Sequence, residues 1–371
     1  MEKKIRIGVI FGGRSGEHAV SLMSARSVLS VMDPKKYSIT CIGISKKGEW
    51  YTGDSVLEAL ENDDVSGLQK AILKPVPGAA KLYRVTGIDT EKKLELAAEL
   101  DVIFPVLHGT FGEDGTLQGL LELADVAYVG SGVLGSSVGM DKGLFKDVMR
   151  AHNIPVVESI TVSRHEIEAD LNAVISKAEA LAGYPFFVKP ANLGSSVGIS
   201  KCRSRADLLE GIMDAARFDR RILIERGLVN PREIEISVLG NQEPRASVAG
   251  EIIPEADFYS YSAKYLDGSS RLNIPADLPA ETSEAMRAMA VEAYKAIDCA
   301  GMARVDFLLD RETGQYYLNE LNTLPGFTKI SMYPKLWEAT GLSYPQLIDR
   351  LVDLAFERKA DRDHTVRIYE G

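Results

Sequence analysis

The first third of the chain alternates apolar runs with segments of helical pattern. An apolar run at 5–11 predicts a buried strand, and the GGRSGEHAVS that follows predicts a turn entering a helix. Further strands are predicted at 38–44 and 101–109, with another helix at 116–124. Strands that alternate with helices favour a parallel sheet with helices on its faces. The segment between 50 and 95 is too irregular for its elements to be placed.

The rest of the chain is richer in strands. GSGVLGSS at 130–137 resembles a linker, and a helix is predicted to begin near Asp141. PFFVKPANLGSSVGISK at 185–201 predicts a strand, a glycine-rich loop and a second strand, which differs from a P-loop because no helix follows the loop. The segment 255–279, rich in Tyr, Ser, Asp, Gly and Pro, predicts one long surface loop. The other predicted elements are strands at 221–227 and 233–241 and helices at 281–297 and 344–360.

The segment 301–322, GMARVDFLLDRETGQYYLNELN, predicts a β-hairpin that turns at DRETGQ. A register that pairs Asp306 with Glu320 sets Arg304 opposite Asn322, and all four side chains then share one face. Two neighbouring carboxylates repel unless a cation lies between them, and oxygen ligands favour Mg²⁺. We therefore predict that Asp306, Glu320 and Asn322 hold Mg²⁺ and that Arg304 meets an anionic substrate group. The alternative is a solvated strand face with an Arg–Asp pair.

Lysines and glycines mark a candidate phosphate site. Lys189 ends an apolar strand, and the loop after it offers N–H groups and the hydroxyls of Ser195 and Ser196 to phosphate oxygens. Lys142, just inside a helix, is a second candidate. Glu225, at a strand end, could accept a hydrogen bond from a nucleobase amino group. The alternative for the loop after Lys189 is a merely polar hairpin turn. The alternative for Lys142 is a surface lysine, and the alternative for Glu225 is an exposed strand terminus.

Two residues at one edge of the first predicted sheet are candidates for binding an amino acid. Glu17 follows the first strand and could accept from an ammonium group, while the helix N-terminus holds a carboxylate. His108 ends another strand at the same edge. The alternatives are a helix cap supplied by Ser15 or Glu17 and a structural histidine.

Composition and charge argue against several classes of function. The formal net charge of −10 disfavours nonspecific nucleic-acid binding. No run approaches the ~18 apolar residues of a membrane helix, and the apolar run at the start is shorter than a secretory signal needs. The three cysteines are far apart, which fits a reducing compartment better than a disulfide framework. We therefore expect a cytoplasmic protein whose partners are neither nucleic acid nor membrane.

Eight motifs together resemble those of one family. In chain order they are GGRSGEHAVS, LHGTFGEDGTLQG, GSGVLGSSVGMDK, VKPANLGSSVGISK, LIERGLVNPREIEISVLG, YSAKYLDG, RVDFLLD and YYLNELNTLPGFTKISMYP. Over nearly the whole chain the sequence resembles the D-alanine–D-alanine ligases of the ATP-grasp superfamily. The resemblance implies an α/β and α+β protein with an ATP-grasp fold and an N-terminal Rossmann-like parallel-sheet domain. The implied division is an N-terminal substrate-binding domain at 1–130, a central ATP-grasp subdomain at 131–225, and a C-terminal ATP-grasp subdomain at 226–371 with the metal site and a lid loop at about 255–279.

The resemblance also implies how ATP and metal bind. Lys142, Lys189 and Ser196 would bind ATP phosphates, Glu225 would contact adenine, and Glu233 would contact the ribose hydroxyls. The family's magnesium ligands, which usually hold two ions and can accept Mn²⁺, match Asp306, Glu320 and Asn322.

The amino-acid substrates are assigned by the same resemblance. Glu17 would bind the ammonium group of the first D-alanine, with His108 nearby, and Ser331 would contact the carboxylate of the second. Arg304 would stabilise charge on the transferred phosphoryl group and the tetrahedral oxyanion. The residues that would close a lid over the site together with Glu17 are Ser195, Lys264 and Tyr265.

The implied activity is ATP-dependent ligation of two D-alanine molecules through D-alanyl phosphate, which supplies a peptidoglycan precursor, by a homodimeric enzyme. Ala19 stands where an acidic residue is common in the family, and Arg226 stands where lysine is frequent. One alternative is a ligase for D-serine or D-lactate, and the Lys264–Tyr265 pair favours D-alanine over D-lactate. The other is a catalytically silent nucleotide-binding regulator, which would have no need of the complete metal and arginine set.

Overall fold

Three β-sheets follow one another along the chain, each packed against helices. The computed structural model describes residues 3–78, 80–87, 91–194, 197–253, 271–328 and 330–368. The α/β and α+β class predicted from the sequence is confirmed, since a sheet with parallel strands is followed by two antiparallel sheets. Within the described ranges, no helix is long and apolar enough to cross a membrane.

The first sheet is mixed. With its helices it comprises β1 (Ile5–Gly12), α1 (His18–Val31), β2 (Tyr37–Ile44), β3 (Trp50–Thr52), α2 (Val56–Glu61), β4 (Gln69–Leu73), β5 (Ala80–Thr86), β6 (Lys93–Leu100), β7 (Val102–Pro105), α3 (Thr116–Leu123) and β8 (Ala127–Tyr128). The strand order is β6-β5-β4-β3-β2-β1-β7-β8. Strands β1, β2 and β7 run parallel, as predicted, and the short strand β8, which was not predicted, pairs parallel with β7. The segment that could not be placed forms an antiparallel extension, β3–β6.

The predicted linker at 130–137 is wrong. Its residues enter helix α4 (Val133–Met140), which is followed directly by α5 (Lys142–Ala151). The small residues that suggested a linker allow close packing instead, since a Cβ on Gly135 would lie 2.9 Å from the carbonyl oxygen of Asp298. Helix α5 begins where predicted, and its N-cap Asp141 accepts a hydrogen bond at 2.9 Å from the backbone N–H of Leu144.

The second sheet is antiparallel. It comprises β9 (Ser159–Ser163), α6 (Arg164–Ala169), α7 (Leu171–Leu181), β10 (Phe186–Pro190), β11 (Ser200–Cys202), α8 (Arg205–Phe218) and β12 (Arg221–Arg226). The strand order is β11-β10-β12-β9. The predicted strand–loop–strand unit is confirmed, because β10 and β11 pair antiparallel on either side of the glycine-rich loop. The apolar residues of these strands and of α7 and α8 form one buried cluster.

The third sheet is also antiparallel. It comprises β13 (Arg232–Gly240), β14 (Arg245–Ile253), β15 (Arg271–Asn273), α9 (Ala280–Ala296), β16 (Gly301–Leu309) and β17 (Tyr316–Asn322), in the order β15-β14-β13-β16-β17. The loop predicted at 255–279 is too long at its far end, because β15 pairs with β14. Residues 255–270 of that prediction lie outside the described residues.

The last helices return to the first sheet. After α10 (Met332–Ala339), helix α11 (Tyr344–Asp363) buries Leu347 and Leu351 in the same apolar cluster as Ile7 and Val102 of the first sheet. An ion pair of 2.8 Å between Arg358 and Glu122 ties α11 to α3. The core of the first sheet is therefore completed by residues far along the chain. The predicted domain boundaries stay a prediction.

Candidate active site

One cavity of about 740 Å³ opens between the three sheets. Its walls include most of the residues singled out from the sequence: Glu17, Lys142, Lys189, Glu225, Glu233, Arg304, Glu320, Asn322 and Ser331. His108 and Asp306 lie just behind the walls, where they contact Glu113 and Arg304, which line the cavity. The four remaining candidates lie outside the described residues: Ser195, Ser196, Lys264 and Tyr265.

The carboxylate face of the hairpin forms as predicted. In the β16–β17 pair, Asp306 lies opposite Glu320 and Arg304 opposite Asn322, with a bulge directly after Asp306. These four side chains are partly exposed, while Leu321 between Glu320 and Asn322 is buried, so the polar residues share one face. The register was predictable because a slip of one residue would bury this polar row.

Arg304 lies at the centre of the carboxylate face. Its guanidinium donates two hydrogen bonds to Asp306, at 2.7 and 2.6 Å, and its Nε lies 3.1 Å from Glu235 Oε2. The Arg–Asp pair of the alternative interpretation is therefore present, on the same face as Glu320. Glu235 was missed by sequence reasoning, although its place in the strand EIEIS, two residues after Glu233, gives it the same facing.

The oxygen donors on this face suit a hard cation. Among the described residues, no cluster of three or more His, Cys, Asp or Glu side chains could hold a metal. The predicted set instead combines two carboxylates, Asp306 and Glu320, with an amide oxygen. Asn322 Oδ1 accepts one hydrogen bond, at 3.0 Å from the N–H of Leu324, and an amide oxygen has a second lone pair. Two carboxylates and an amide fit Mg²⁺, which takes its remaining ligands from water and phosphate.

Glu225 is buried, so its interpretation as an exposed strand terminus is wrong. Its side chain is about 3% exposed and forms ion pairs with Lys189 and, at 3.0 Å, with Lys146. Burial alone would raise the pKa of Glu225, but the attraction of the two lysines outweighs it and lowers this pKa to about 2. The carboxylate is therefore ionised at neutral pH, and Lys189 is already at the cavity wall.

Lys146 is a buried charge that sequence reasoning missed. It lies one turn after Lys142 on α5, and only 1% of its side chain is exposed. Burial lowers the pKa of Lys146, while Glu225 opposes that shift. The available signal was its spacing of four residues from Lys142, which gives both lysines the same side of the helix.

Lys142 connects the glycine-rich loop with the carboxylate face. Its Nζ donates a hydrogen bond at 2.6 Å to the carbonyl oxygen of Leu193 and lies 4.0 Å from Glu320 Oε2. Its side chain is 12% exposed, so the interpretation as an ordinary surface lysine is wrong. A cation held here, at a helix N-terminus beside a glycine-rich loop, suits an anionic ligand.

Glu17 lies where the first two sheets meet. Its carboxylate contacts two glycines, since a Cβ on Gly109 or Gly194 would come within 2.4 or 2.7 Å of Glu17 Oε2. Glu17 is the N-cap residue of α1, but its side chain makes no capping hydrogen bond, so it does not cap the helix, whereas Ser15 Oγ accepts from the backbone N–H of Glu17 at 3.2 Å. Ser15 braces the turn instead, donating at 2.7 Å to the carbonyl oxygen of His108.

His108 is buried behind this region. Its Nδ1 donates at 3.0 Å to the carbonyl oxygen of Leu324, and its Nε2 lies 3.0 Å from the hydroxyl of Ser24. Glu113 Oε1, 3.6 Å from Nδ1, lines the cavity and was missed by sequence reasoning. Burial raises the pKa of Glu113 to about 7. Burial would lower the pKa of His108, but Glu113 and Glu17 raise it overall.

Glu233 and Ser331 belong to other walls. Glu233 is the second residue of the inner strand β13, where it is flanked by Ile252 and Leu308. Ser331 is the N-cap of α10, and its Oγ accepts from the N–H of Thr328 at 3.0 Å. The cavity thus has the carboxylate of Glu233 in one wall and a helix N-terminus with a hydroxyl in another.

Two family models match the chain. The model described as D-ala D-ala ligase N-terminus matches residues 6–131, and the one described as D-ala D-ala ligase C-terminus matches residues 148–353. A D-alanine–D-alanine ligase of Thermoanaerobacter pseudethanolicus is 53% identical over 360 residues, which are 96% of this chain and 98% of that protein.

Solved structures give the same result. The D-alanine–D-alanine ligase of Coxiella burnetii superposes with a TM-score of 0.82 at 35% identity, covering 98% of this chain and 97% of that one. The VanG D-Ala:D-Ser ligase of Enterococcus faecalis superposes with a TM-score of 0.83, also at 35% identity, covering 95% of this chain and 100% of that one.

Proposed function

The chain belongs to the D-alanine–D-alanine ligase family, and on that premise we propose that it joins two D-alanine molecules to D-alanyl-D-alanine with conversion of ATP to ADP and inorganic phosphate. The product is a peptidoglycan precursor. The observation that carries the proposal is the single cavity that gathers the lysines, the carboxylate face with Arg304, and Glu17. A silent regulator is not favoured, because the family is one of ligases and the residues suited to catalysis are together.

The nucleotide end of the cavity is the wall around Glu225. The ionised Glu225 accepts a hydrogen bond from the adenine amino group, and Glu233 accepts from the ribose hydroxyls. Lys142 and Lys189 then face the triphosphate, where their positive charge offsets the phosphate oxygens. Ser196 would add a donor to the same phosphates.

The carboxylate face lies at the phosphoryl end. Asp306, Glu320 and Asn322 would hold magnesium, in one or two ions, with manganese as a substitute. When bound, the metal offsets negative charge on the phosphates during transfer. Arg304 stays beside Asp306 and Glu235 with its guanidinium able to stabilise charge that develops on the phosphoryl group and on the later oxyanion.

The amino-acid end of the cavity lies near Glu17. Glu17 accepts from the ammonium group of the first D-alanine, whose carboxylate attacks the γ-phosphorus; ADP leaves and D-alanyl phosphate forms. The neutral amine of the second D-alanine, held through its carboxylate by Ser331, attacks the acyl carbon, and inorganic phosphate leaves. Water would hydrolyse the acyl phosphate, so excluding it matters. By the family resemblance, Ser195, Lys264 and Tyr265 would close a lid loop over the site and exclude water. His108 would support the subsite of the first D-alanine.

D-Serine as the second substrate is the one competing proposal with an observation behind it. The VanG D-Ala:D-Ser ligase superposes as well as the D-alanine–D-alanine ligase of Coxiella burnetii, at the same identity. D-Alanine is favoured because the relative at 53% identity is a D-alanine–D-alanine ligase.

The deciding experiment measures ADP release by the purified chain with ATP, Mg²⁺ and each candidate acceptor. We expect release that depends on D-alanine and a dipeptide product identified by mass spectrometry, with little release for L-alanine. D-Alanyl-D-serine as the main product when both acceptors are present would replace the D-alanine proposal. ADP release indifferent to any amino acid would remove the ligase proposal altogether.

Two further features are proposed from the family. We expect a homodimer, which sedimentation velocity can test. We also expect the enzyme to act in the cytoplasm, where ATP and a reducing environment are available, which fractionation of the host can test.

A further inference from the structure

The cluster Lys146–Glu225–Lys189 contains one positive charge more than it has negative charges. Both lysines contact the same carboxylate, Lys146 at Oε2 and Lys189 at Oε1. Glu225 and Lys189 lie on the neighbouring strands β12 and β10, and Lys146 reaches them from α5. A single carboxylate would suffice to neutralise one lysine, so the second lysine needs an explanation.

The two lysines differ in what they can reach. Lys189 lines the cavity, and its side chain is 11% exposed. Lys146 does not line the cavity, and its side chain is 1% exposed. Lys189 can therefore swing toward an anionic ligand in the cavity, whereas Lys146 stays where it is.

We propose that Lys146 is a positioning residue for nucleotide binding: it is the permanent counter-ion of Glu225 and so frees Lys189 to bind the triphosphate. This inference rests on the proposed function, in which Glu225 faces adenine and Lys189 faces phosphate. When Lys189 leaves, Glu225 Oε1 becomes available to the adenine amino group, and Lys146 still neutralises the carboxylate through Oε2. Without Lys146, the departure of Lys189 would leave a buried, unpaired carboxylate, which is strongly unfavourable.

The first test replaces Lys146 with methionine, which keeps an unbranched chain and removes the charge. We expect the affinity for the Mg²⁺ complex of adenylyl imidodiphosphate, measured by calorimetry, to fall at least tenfold, while the KM for D-alanine changes less than twofold. The matched control is Lys177→Met on α7, an exposed lysine 60% exposed at its side chain, which should change neither value. An affinity loss below twofold in Lys146→Met would overturn the inference.

A double-mutant cycle separates positioning from general structural support. If Lys146 acts through Glu225, the variant with both Lys146→Met and Glu225→Gln should bind the analogue no more weakly than Glu225→Gln alone. Additive losses would mean that Lys146 acts by another route and would overturn the inference. Circular dichroism and thermal unfolding of each variant accompany the binding measurements.

A second variant decides the question if Lys146→Met fails to fold. In Lys189→Met, Lys146 should still hold Glu225, so adenosine, which has no phosphate, should bind at least as tightly as to the unmodified chain. Loss of adenosine binding would show that Lys146 alone does not maintain Glu225 and would overturn the inference. The binding measurements need no turnover, unlike the KM comparison. Failure of D-alanine-dependent ADP release would reject the ligase proposal and leave the effect of Lys146 on nucleotide binding to be judged separately.

Discussion

Replacing Glu225 with glutamine should destabilise the fold more than any exposed charge substitution in the same sheet. The change keeps the shape of the side chain and removes its charge. Lys146, 1% exposed, then has no counter-charge, while Lys189 can reach the cavity. One buried charge is therefore stranded.

The expected loss of unfolding free energy follows from this one stranded charge. Breaking a buried ion pair by removing one partner costs roughly 3–5 kcal/mol, a large part of the roughly 5–15 kcal/mol by which typical proteins are stable. The chain has 371 residues, and at roughly 2.1 cal/mol/K per residue the entropy of unfolding is about 0.8 kcal/mol/K, so the Tm should fall by about 4–6 °C.

The assay compares the variant with Glu158→Gln by calorimetry and urea unfolding. Glu158 pairs with Arg226 at 2.8 Å, but its side chain is 53% exposed, so that control should lose at most about 1 kcal/mol. Equal losses of unfolding free energy in Glu225→Gln and Glu158→Gln would refute the argument that burial of the ion pair decides how much stability is lost.

The contribution of Glu225 to stability should decrease as the pH falls. The pKa of Glu225 is lowered in the folded state, to about 2, so its stabilising contribution is present above its unfolded pKa of roughly 4.3 and is lost as the pH falls toward the folded value. The difference in unfolding free energy between the unmodified chain and Glu225→Gln should therefore narrow as the pH falls below about 4. A difference that widens on acidification would contradict this assignment.

Three further changes test other parts of the molecule. Glu320→Gln should lower D-alanine-dependent ADP release at least hundredfold with an unchanged circular dichroism spectrum, and chelation of divalent metal should do the same to the unmodified enzyme; normal turnover in the variant would remove the metal assignment. Gly194→Ala should lower kcat/KM for D-alanine at least tenfold, because the new Cβ would press on Glu17 Oε2 at 2.7 Å, whereas Gly183→Ala meets nothing within 4 Å and should stay within twofold. Leu351→Ala, fully buried between α11 and the first sheet, should cost about 2–5 kcal/mol in urea unfolding, and a loss below 1 kcal/mol would mean that this contact contributes little.

The sequence predicts the structure correctly where one strong local pattern decides it. In the hairpin at 301–322, β16 alternates buried and partly exposed positions from Ala303 to Leu309, and Leu321 is buried between Glu320 and Asn322, so this pattern keeps Arg304 and Glu320 off the apolar face. The apolar run of β1 likewise predicts a strand covered on both sides, as parallel strands are. In both cases the local signal and the tertiary environment agree.

The sequence is a poor guide where small or charged residues make tertiary contacts. The glycines and serines of α4 suggested a linker, but Gly135 is small because a backbone carbonyl lies against it. Lys146 is a charged residue whose burial depends on Glu225, 79 residues later in the chain. The burial of Glu113 likewise depends on His108, 5 residues earlier. A single sequence does not say which charged residues of an amphipathic helix face inward to a buried partner.

The position of α11 has a consequence for biosynthesis. The face of the first sheet that α11 covers emerges from the ribosome early, and α11 itself begins only at Tyr344. At roughly 5–20 residues per second, the interval between the end of that sheet and the start of α11 is roughly 10–40 s. During that time the nascent chain lacks α11, so the first-sheet residues that pack against this helix are without that part of their apolar cover.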